Sequence, residues 1–310
     1  MVVALGGNAI LSPGQAGTFT EQLENVTRAV DPLADFLSLG HRLVITHGNG
    51  PQVGNLLIQQ ESARAVTPPL PLFACGAMTQ GLLGLMIEQA LHGALGRRGM
   101  ALPVATVLTQ VVVDRQDPAM ERPEKPVGPF YTEDRARRLA VDGLEFREDA
   151  GRGFRRVVPS PLPRHLVNRD IILALLEAGA VVVAAGGGGV PVSRDPGSGQ
   201  LQGVDAVIDK DRASCRLALE IGAEVLMILT EVPAAAVDFN TRNQRWLHRV
   251  TLRELEVLYE AGHFLAGSMG PKVQAAMEFV RGGGRRAVIA HLQCAVPALE
   301  GTEGTQVTTE

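Results

Sequence analysis

Cysteine is nearly missing from this chain of 310 residues. Cys75, Cys215 and Cys294 stand far apart without a Cys-x-x-Cys spacing, which excludes a zinc knuckle and a disulfide framework. They read as reduced, small apolar residues. An excess of positive charge is also missing: the formal net charge is −4, so no surplus is available to displace counterions from a nucleic acid. Long hydrophobic runs do not occur either, and no stretch approaches the ~18 apolar residues of a membrane helix. The first twenty residues carry no charged side chain, but without a basic start, and with Gly6, Gly7 and Asn8 ending the apolar run, they do not form a signal peptide. A cytoplasmic location is expected, with neither nucleic acid nor membrane as partner.

Two nucleotide signatures are absent as well. No Gly-x-x-x-x-Gly-Lys-Ser/Thr run exists, since Gly267 to Lys272 has another spacing and continues into Val273. The tetraglycine Gly186 to Gly189 is followed by Val190 and Pro191, where a dinucleotide-binding helix would begin.

What the chain does contain is hydrophobic residues at 45%, charged residues at 20% and 35 glycines, enough for one large α/β domain or two lobes sharing a sheet. Short β-branched runs at Val2 to Leu5, Leu43 to Thr46, Val104 to Leu108, Val181 to Ala185, Val225 to Leu229 and Ala287 to Ala290 predict strands. Apolar residues at three-to-four spacing predict helices over Glu21 to Leu39, Gly76 to Leu95, Arg169 to Ala178, Asp211 to Ile221, Leu252 to Ala261 and Lys272 to Arg281. Alternating strands and helices imply a mostly parallel sheet covered on both faces, a three-layer α/β/α sandwich. From about Asp114 to Pro163 the chain turns dense in charge and proline, too long for a connection of ~4–6 residues. That segment reads as an ordered excursion, a protruding subdomain or lid, because Val127 to Tyr131 and Phe154 to Val158 keep β-forming residues.

Ligands of open parallel sheets collect at the carboxyl ends of the strands. Three glycine clusters fall there: Gly6-Gly7-Asn8, His47-Gly48-Asn49-Gly50-Pro51 and Gly186 to Gly189. One alone marks a tight turn; three at one edge point to an anion site. Lysine then becomes informative. Of 29 basic residues only Lys125, Lys210 and Lys272 are lysine, and 26 are arginine. A chain so biased keeps lysine where a compact point charge on a flexible stem is required, as beside a moving phosphoryl group. Asp209 and Asp211 flank Lys210 and read either as ion-pair and capping residues or as carboxylates that hold lysines or a Mg²⁺. His47 reads as structural. Thr230-Glu231-Val232 is either a turn or the floor of a nucleotide pocket, and Met269 and Tyr259 either pack in the core or touch an adenine.

Seven stretches in order make the chain resemble the carbamate kinases of the amino-acid-kinase family over nearly its whole length. They are Val3 to Ala9, Thr46 to Gly54, Lys125 to Tyr131, Arg156 to Pro161, Ala184 to Val192, Gly203 to Asp211 and Gly267 to Val273. Related acetylglutamate, aspartate and uridylate kinases carry a lysine two residues before the Gly-Gly pair; this chain has Ala4 there and Lys125 in the excursion, as carbamate kinases do. The resemblance implies a homodimer of two-lobed subunits, with residues 1–185 on the acceptor side, a subdomain near 114–163, and residues 186–310 on the nucleotide side. It implies reversible phosphoryl transfer between carbamoyl phosphate with ADP and carbamate with ATP, with Mg²⁺ carried on the nucleotide phosphates, and a place in arginine metabolism. By the same resemblance Gly7, Asn8, Gly48, Asn49 and Gly50 bind the phosphoryl and carbamate groups. Lys125 reaches in from the subdomain, Lys210 bridges the phosphoryl, Asp211 orients the lysines, and Lys272 with Gly270 holds the nucleotide phosphates. Thr230, Val232 and Met269 fall on the nucleotide side. Competing readings are another phosphotransferase of the same family acting on a small carboxylate, such as a carboxylated amino acid, and a nucleotide-binding regulator without catalysis.

Overall fold

The computed structural model describes residues 1–12, 14–140, 143–148, 153–264 and 269–310, and for Asn8 the backbone alone. Eight strands form the main sheet in the order Arg249–Thr251, Thr305–Thr308, Arg286–His291, Val225–Thr230, Val2–Leu5, Val44–His47, Val181–Val183, Val104–Thr106. The last six run parallel to one another, and Thr305–Thr308 runs against Arg286–His291. Successive side chains of a strand face opposite ways. Accordingly Val2, Ala4, Leu226, Ile228, Ala287 and Ile289 enter one core, and Val3, Leu5, Val225, Met227, Val288 and Ala290 enter the other. Burial of both faces explains why these strands read as unbroken apolar runs, and it makes the fold the expected α/β/α sandwich.

All six predicted strands and all six predicted helical segments are present, with shifted ends. The segment Glu21 to Leu39 is two helices, Phe19–Val30 and Leu33–Ser38, because Pro32 has no N–H to continue the first. The first helix begins early since Thr18 and Glu21 form a reciprocal capping box. Helix Leu72–Arg97 likewise starts ahead of Gly76, just after Pro71. Three further helices among the described residues, Gly50–Ala63, Glu133–Ala140 and Ala295–Glu300, were not foreseen.

Between Asp114 and Pro163 lie a helix, Glu133–Ala140, and a three-stranded antiparallel sheet in the order Lys125–Tyr131, Phe154–Val158, Glu145–Glu148. This excursion seats on helix Gly50–Ala63 through bare backbone. A Cβ on Gly54 would come within 2.6 Å of the Gly128 Cα, and Gly128 has φ of +75°, so both positions need glycine. That contact fixes where the strand beginning at Lys125 meets the main body.

Candidate functional site

The strand order turns around at Val2–Leu5, whose successor Val44–His47 lies on one side and Val225–Thr230 on the other. Such a reversal opens a crevice at the carboxyl ends of the strands. A cavity of about 650 Å³ occupies it, and Gly7, Gly48, Asn49, Gly50, Lys125, Asp209, Lys210, Asp211, Thr230 and Lys272 all line it.

Its floor is main chain. Gly6 and Gly7 lead from the first strand into the 3₁₀ turn Gly7–Ala9. Gly48 follows the second strand so closely that a Cβ there would lie 3.2 Å from the Gly7 nitrogen and 3.4 Å from Cδ of Lys210. Helices Gly50–Ala63, Lys210–Glu220 and Met269–Arg281 all start at the cleft and turn their positive dipole ends toward it. Two of these starts are tied together, for Arg212 Nη2 donates to Gln274 Oε1 at 2.9 Å. A buried hydroxyl chain anchors one of them to the sheet: the Ser214 hydroxyl donates to the Lys210 carbonyl at 2.7 Å and meets the Thr46 hydroxyl at 2.6 Å.

On this frame the three lysines converge. Lys210 Nζ lies 2.5 Å from Asp211 Oδ1, Lys272 Nζ lies 2.9 Å from Asp211 Oδ2, and Lys125 Nζ lies 2.6 Å from Asp209 Oδ2. Asp209 is also the cap of helix Lys210–Glu220, its Oδ1 accepting from the N–H groups of Asp211 and Arg212 at 2.9 and 3.3 Å. Burial pushes both carboxyls upward, but the ammonium groups outweigh it. Asp209 is held well below the usual range chiefly by Lys125, and Asp211 is lowered by Lys210 and Lys272. Lys210 is pulled down by burial and by Lys272, with Asp211 working against both. His47 is a different case. Burial holds its imidazole down at about 4, its Nδ1 lies 2.9 Å from the Gly48 carbonyl, and it does not line the cavity, so it is a neutral wedge rather than a base.

An arrangement of three ammonium groups, three helix starts and a glycine floor attracts a polyanion, and the carboxylates of Asp209 and Asp211 are already engaged by lysine. It suits transfer of a charged group better than proton abstraction. The profile of the amino acid kinase family matches residues 1–291. The chain belongs to the amino acid kinase family.

Within that family it is 53% identical to a carbamate kinase of Thermococcus kodakarensis over 314 residues, covering 100% of this chain and 99% of that one. It is 51% identical to a carbamate kinase of Pyrococcus horikoshii, covering 99% and 98%. Among solved structures, the carbamate kinase from Giardia lamblia bound to AMP-PNP superposes with a TM-score of 0.93 at 42% identity, covering 99% of this chain and 97% of that one.

Not every residue singled out in the sequence meets this amino acid kinase cleft. Val232, Met269 and Gly270 are not among the described residues that line it. Met269 packs against the core, as does Tyr259, whose ring stacks on Phe264, and Gly270 is buried in the first turn of the Lys272 helix. The side chain of Asn8 and the residues Gly267 and Ser268 lie outside the described residues. The tetraglycine contributes only Gly187 to the cleft. Its four residues are pressed against His47, Asn49, Ile208 and Val111, where any Cβ would collide, so it is a packing wall rather than a phosphate loop. Conversely, Asn25, Arg28, His291 and Gln293 line the cleft without having been foreseen. The strand-end rule, applied to Ala287–Ala290 as it was to the glycine clusters, points to the last two. Nothing in a helical pattern says that Asn25 and Arg28 face the strand ends.

Proposed function

We propose that this chain is a carbamate kinase, moving a phosphoryl group reversibly between carbamoyl phosphate with ADP and carbamate with ATP. The observation that carries this reading is the meeting of the chain's only three lysines, 85 and 62 residues apart in sequence, around two buried carboxylates in one anion-sized cleft. The shared description of the relatives, and the AMP-PNP bound by the Giardia lamblia enzyme, support the substrate pair.

Toward ATP, the bond from phosphorus to the carbamate oxygen breaks as a bond forms to a β-phosphate oxygen of ADP, and carbamate leaves with the electron pair. No proton moves, because both competing nucleophiles are already anionic oxygens. The obstacle is repulsion between two anions held in line, and lysines with fixed N–H groups lower it most where charge spreads in the transition state. Lys210 spans the migrating group, Lys272 takes the nucleotide phosphates, and Lys125 takes the carbamoyl phosphate side. Gly7, Asn8, Gly48, Asn49 and Gly50 supply the cradle, and Asp211 keeps Lys210 and Lys272 at a fixed separation. Thr230, Val232 and Met269 belong to the nucleotide side, residues 186–310, and the acceptor side is residues 1–185 with the subdomain.

Mg²⁺ enters as part of the nucleotide complex and supplies further neutralisation of phosphate charge. The donor set fits that role better than a resident ion: Asp209 and Asp211 are occupied by lysine, and no group of three ligating side chains occurs among the described residues. A homodimer is supported by Met78, Leu82 and Leu85, exposed along one face of helix Leu72–Arg97. A cytoplasmic place in arginine metabolism is part of the same reading.

The deciding experiment couples ATP formation from carbamoyl phosphate and ADP to a reporter in the presence of Mg²⁺. Turnover with carbamoyl phosphate is expected; no ATP from carbamoyl phosphate, together with ADP release from ATP when acetylglutamate is the acceptor, would transfer the chain to another branch of the family.

A further inference from the structure

We propose that Asp209 is a positioning residue for phosphoryl transfer, holding Lys125 in the cleft with one carboxylate oxygen while the other caps the helix that carries Lys210 and Asp211. The inference rests on the reaction assigned above and concerns how its most remote lysine is brought to work.

A cap needs one acceptor oxygen, and asparagine or serine supplies it as well as aspartate does. At Asp209 that duty is filled by Oδ1, which accepts from the Asp211 and Arg212 N–H groups. The other oxygen, Oδ2, is spent on Lys125 Nζ at 2.6 Å, across 84 residues of sequence. Lys125 differs from the other two lysines in its support. Lys210 and Lys272 rise from helices packed on the main sheet, whereas Lys125 opens a strand of the excursion seated through Gly54 and Gly128. Its side chain is 34% exposed against 14% and 13% for the others.

Charge balance points the same way. The cluster holds three ammonium groups against the carboxylates of Asp209 and Asp211, leaving one positive charge to be met by the incoming anion. Without the Asp209 charge, three cations face Asp211 alone, and the lysine on the least anchored element is the one that swings out. With it, the flexible stem of Lys125 is ordered before substrate arrives, so less freedom is lost on reaching the transition state. During turnover the ammonium group exchanges the Asp209 oxygen for a phosphoryl oxygen a short distance away and returns afterwards.

The test uses the rarity of lysine. Protein grown on lysine labelled with ¹³C at Cε shows three side-chain resonances, assigned by Lys125→Arg, Lys210→Arg and Lys272→Arg. Asp209→Asn keeps the capping oxygen and removes the charge. In this variant the Lys125 resonance is expected to move toward that of a free lysine while that of Lys272 stays. The kcat is expected to fall at least roughly tenfold with the KM for ADP within about twofold. In a Lys125→Ala background the same substitution is expected to cost nothing more. An unmoved Lys125 resonance, a kcat like that of the parent, or an equal loss with and without Lys125 would each overturn the proposal and leave Asp209 as a cap. Should Asp209→Asn not fold, Asp209→Ser keeps the cap and answers the same questions. If the parent protein does not turn over carbamoyl phosphate, the failure lies with the assigned reaction, and the Lys125 resonance alone decides whether Asp209 holds that lysine.

Discussion

Lys210 touches Asp211, packs its stem against Gly48 and stands at the start of a dipole-bearing helix, so its loss removes charge from the centre of the cleft. Lys210→Ala is expected to lower kcat by roughly 10²–10³, the size seen when a preorganised donor to developing charge is deleted. Lys210→Arg should recover little, because a planar fork does not fit beside Gly48, and both follow from the coupled ATP assay. His47 acts on stability instead. The unfolded chain takes up its proton near 6.5 and the folded chain only at about 4, so the unfolded state binds more protons in between. This contribution is complete above about pH 6.5 and shrinks as pH falls toward 4, by up to about 3 kcal/mol. Urea midpoints at several pH values measure it, and His47→Gln should flatten that part of the profile. Asp209 and Asp211, held below the ordinary carboxylate range, keep their contribution down to about pH 4 and lose it only below that. The lysines were legible in sequence because arginine fills every other cationic position. The pairing of Lys125 with Asp209 was not, since it depends on how an excursion folds back over 84 residues.

Helix Gly50–Ala63 shows what periodicity misses. Its buried residues are Gln52, Val53 and Gly54, which form no apolar stripe, and its Gly-Pro start resembles a turn. Pro51 in the first turn is in fact a helix start, where the missing N–H has no partner to lose. The long strands and helices, by contrast, were legible because the sheet is buried on both faces and its helices on one. The unseen helix is the seat of the excursion, and Gly54→Ala tests that role. The added methyl would sit 2.6 Å from the Gly128 Cα, so the subdomain must lift. The expected results are a loss of about 1–3 kcal/mol in chemical denaturation, as for other overpacked sites, and a lower kcat with the affinity for ADP preserved in calorimetry.

At the scale of the whole molecule, the main sheet joins strands from both halves of the chain, and the cleft lies where they meet. Composition and strand rhythm foretold the layers; the strand order, which creates the crevice, did not follow from them. The proposed association of two molecules through Met78, Leu82 and Leu85 predicts that Leu82→Glu shifts the sedimentation coefficient from dimer to monomer, since a desolvated charge at the centre of an apolar contact has no partner. The wall built by Gly186 to Gly189 has its own consequence for redesign. Since that side of the chamber is main chain pressed against His47, Asn49, Ile208 and Val111, it offers no bulky group to shave away. With that wall fixed, retreat of the strand that begins at Lys125 is one way to make room for a larger acceptor, and that retreat withdraws a cation from the cleft. Along that route acceptor size and cleft charge hang on one strand, so a variant that admits a bulkier acid by displacing it should turn over its natural one more slowly.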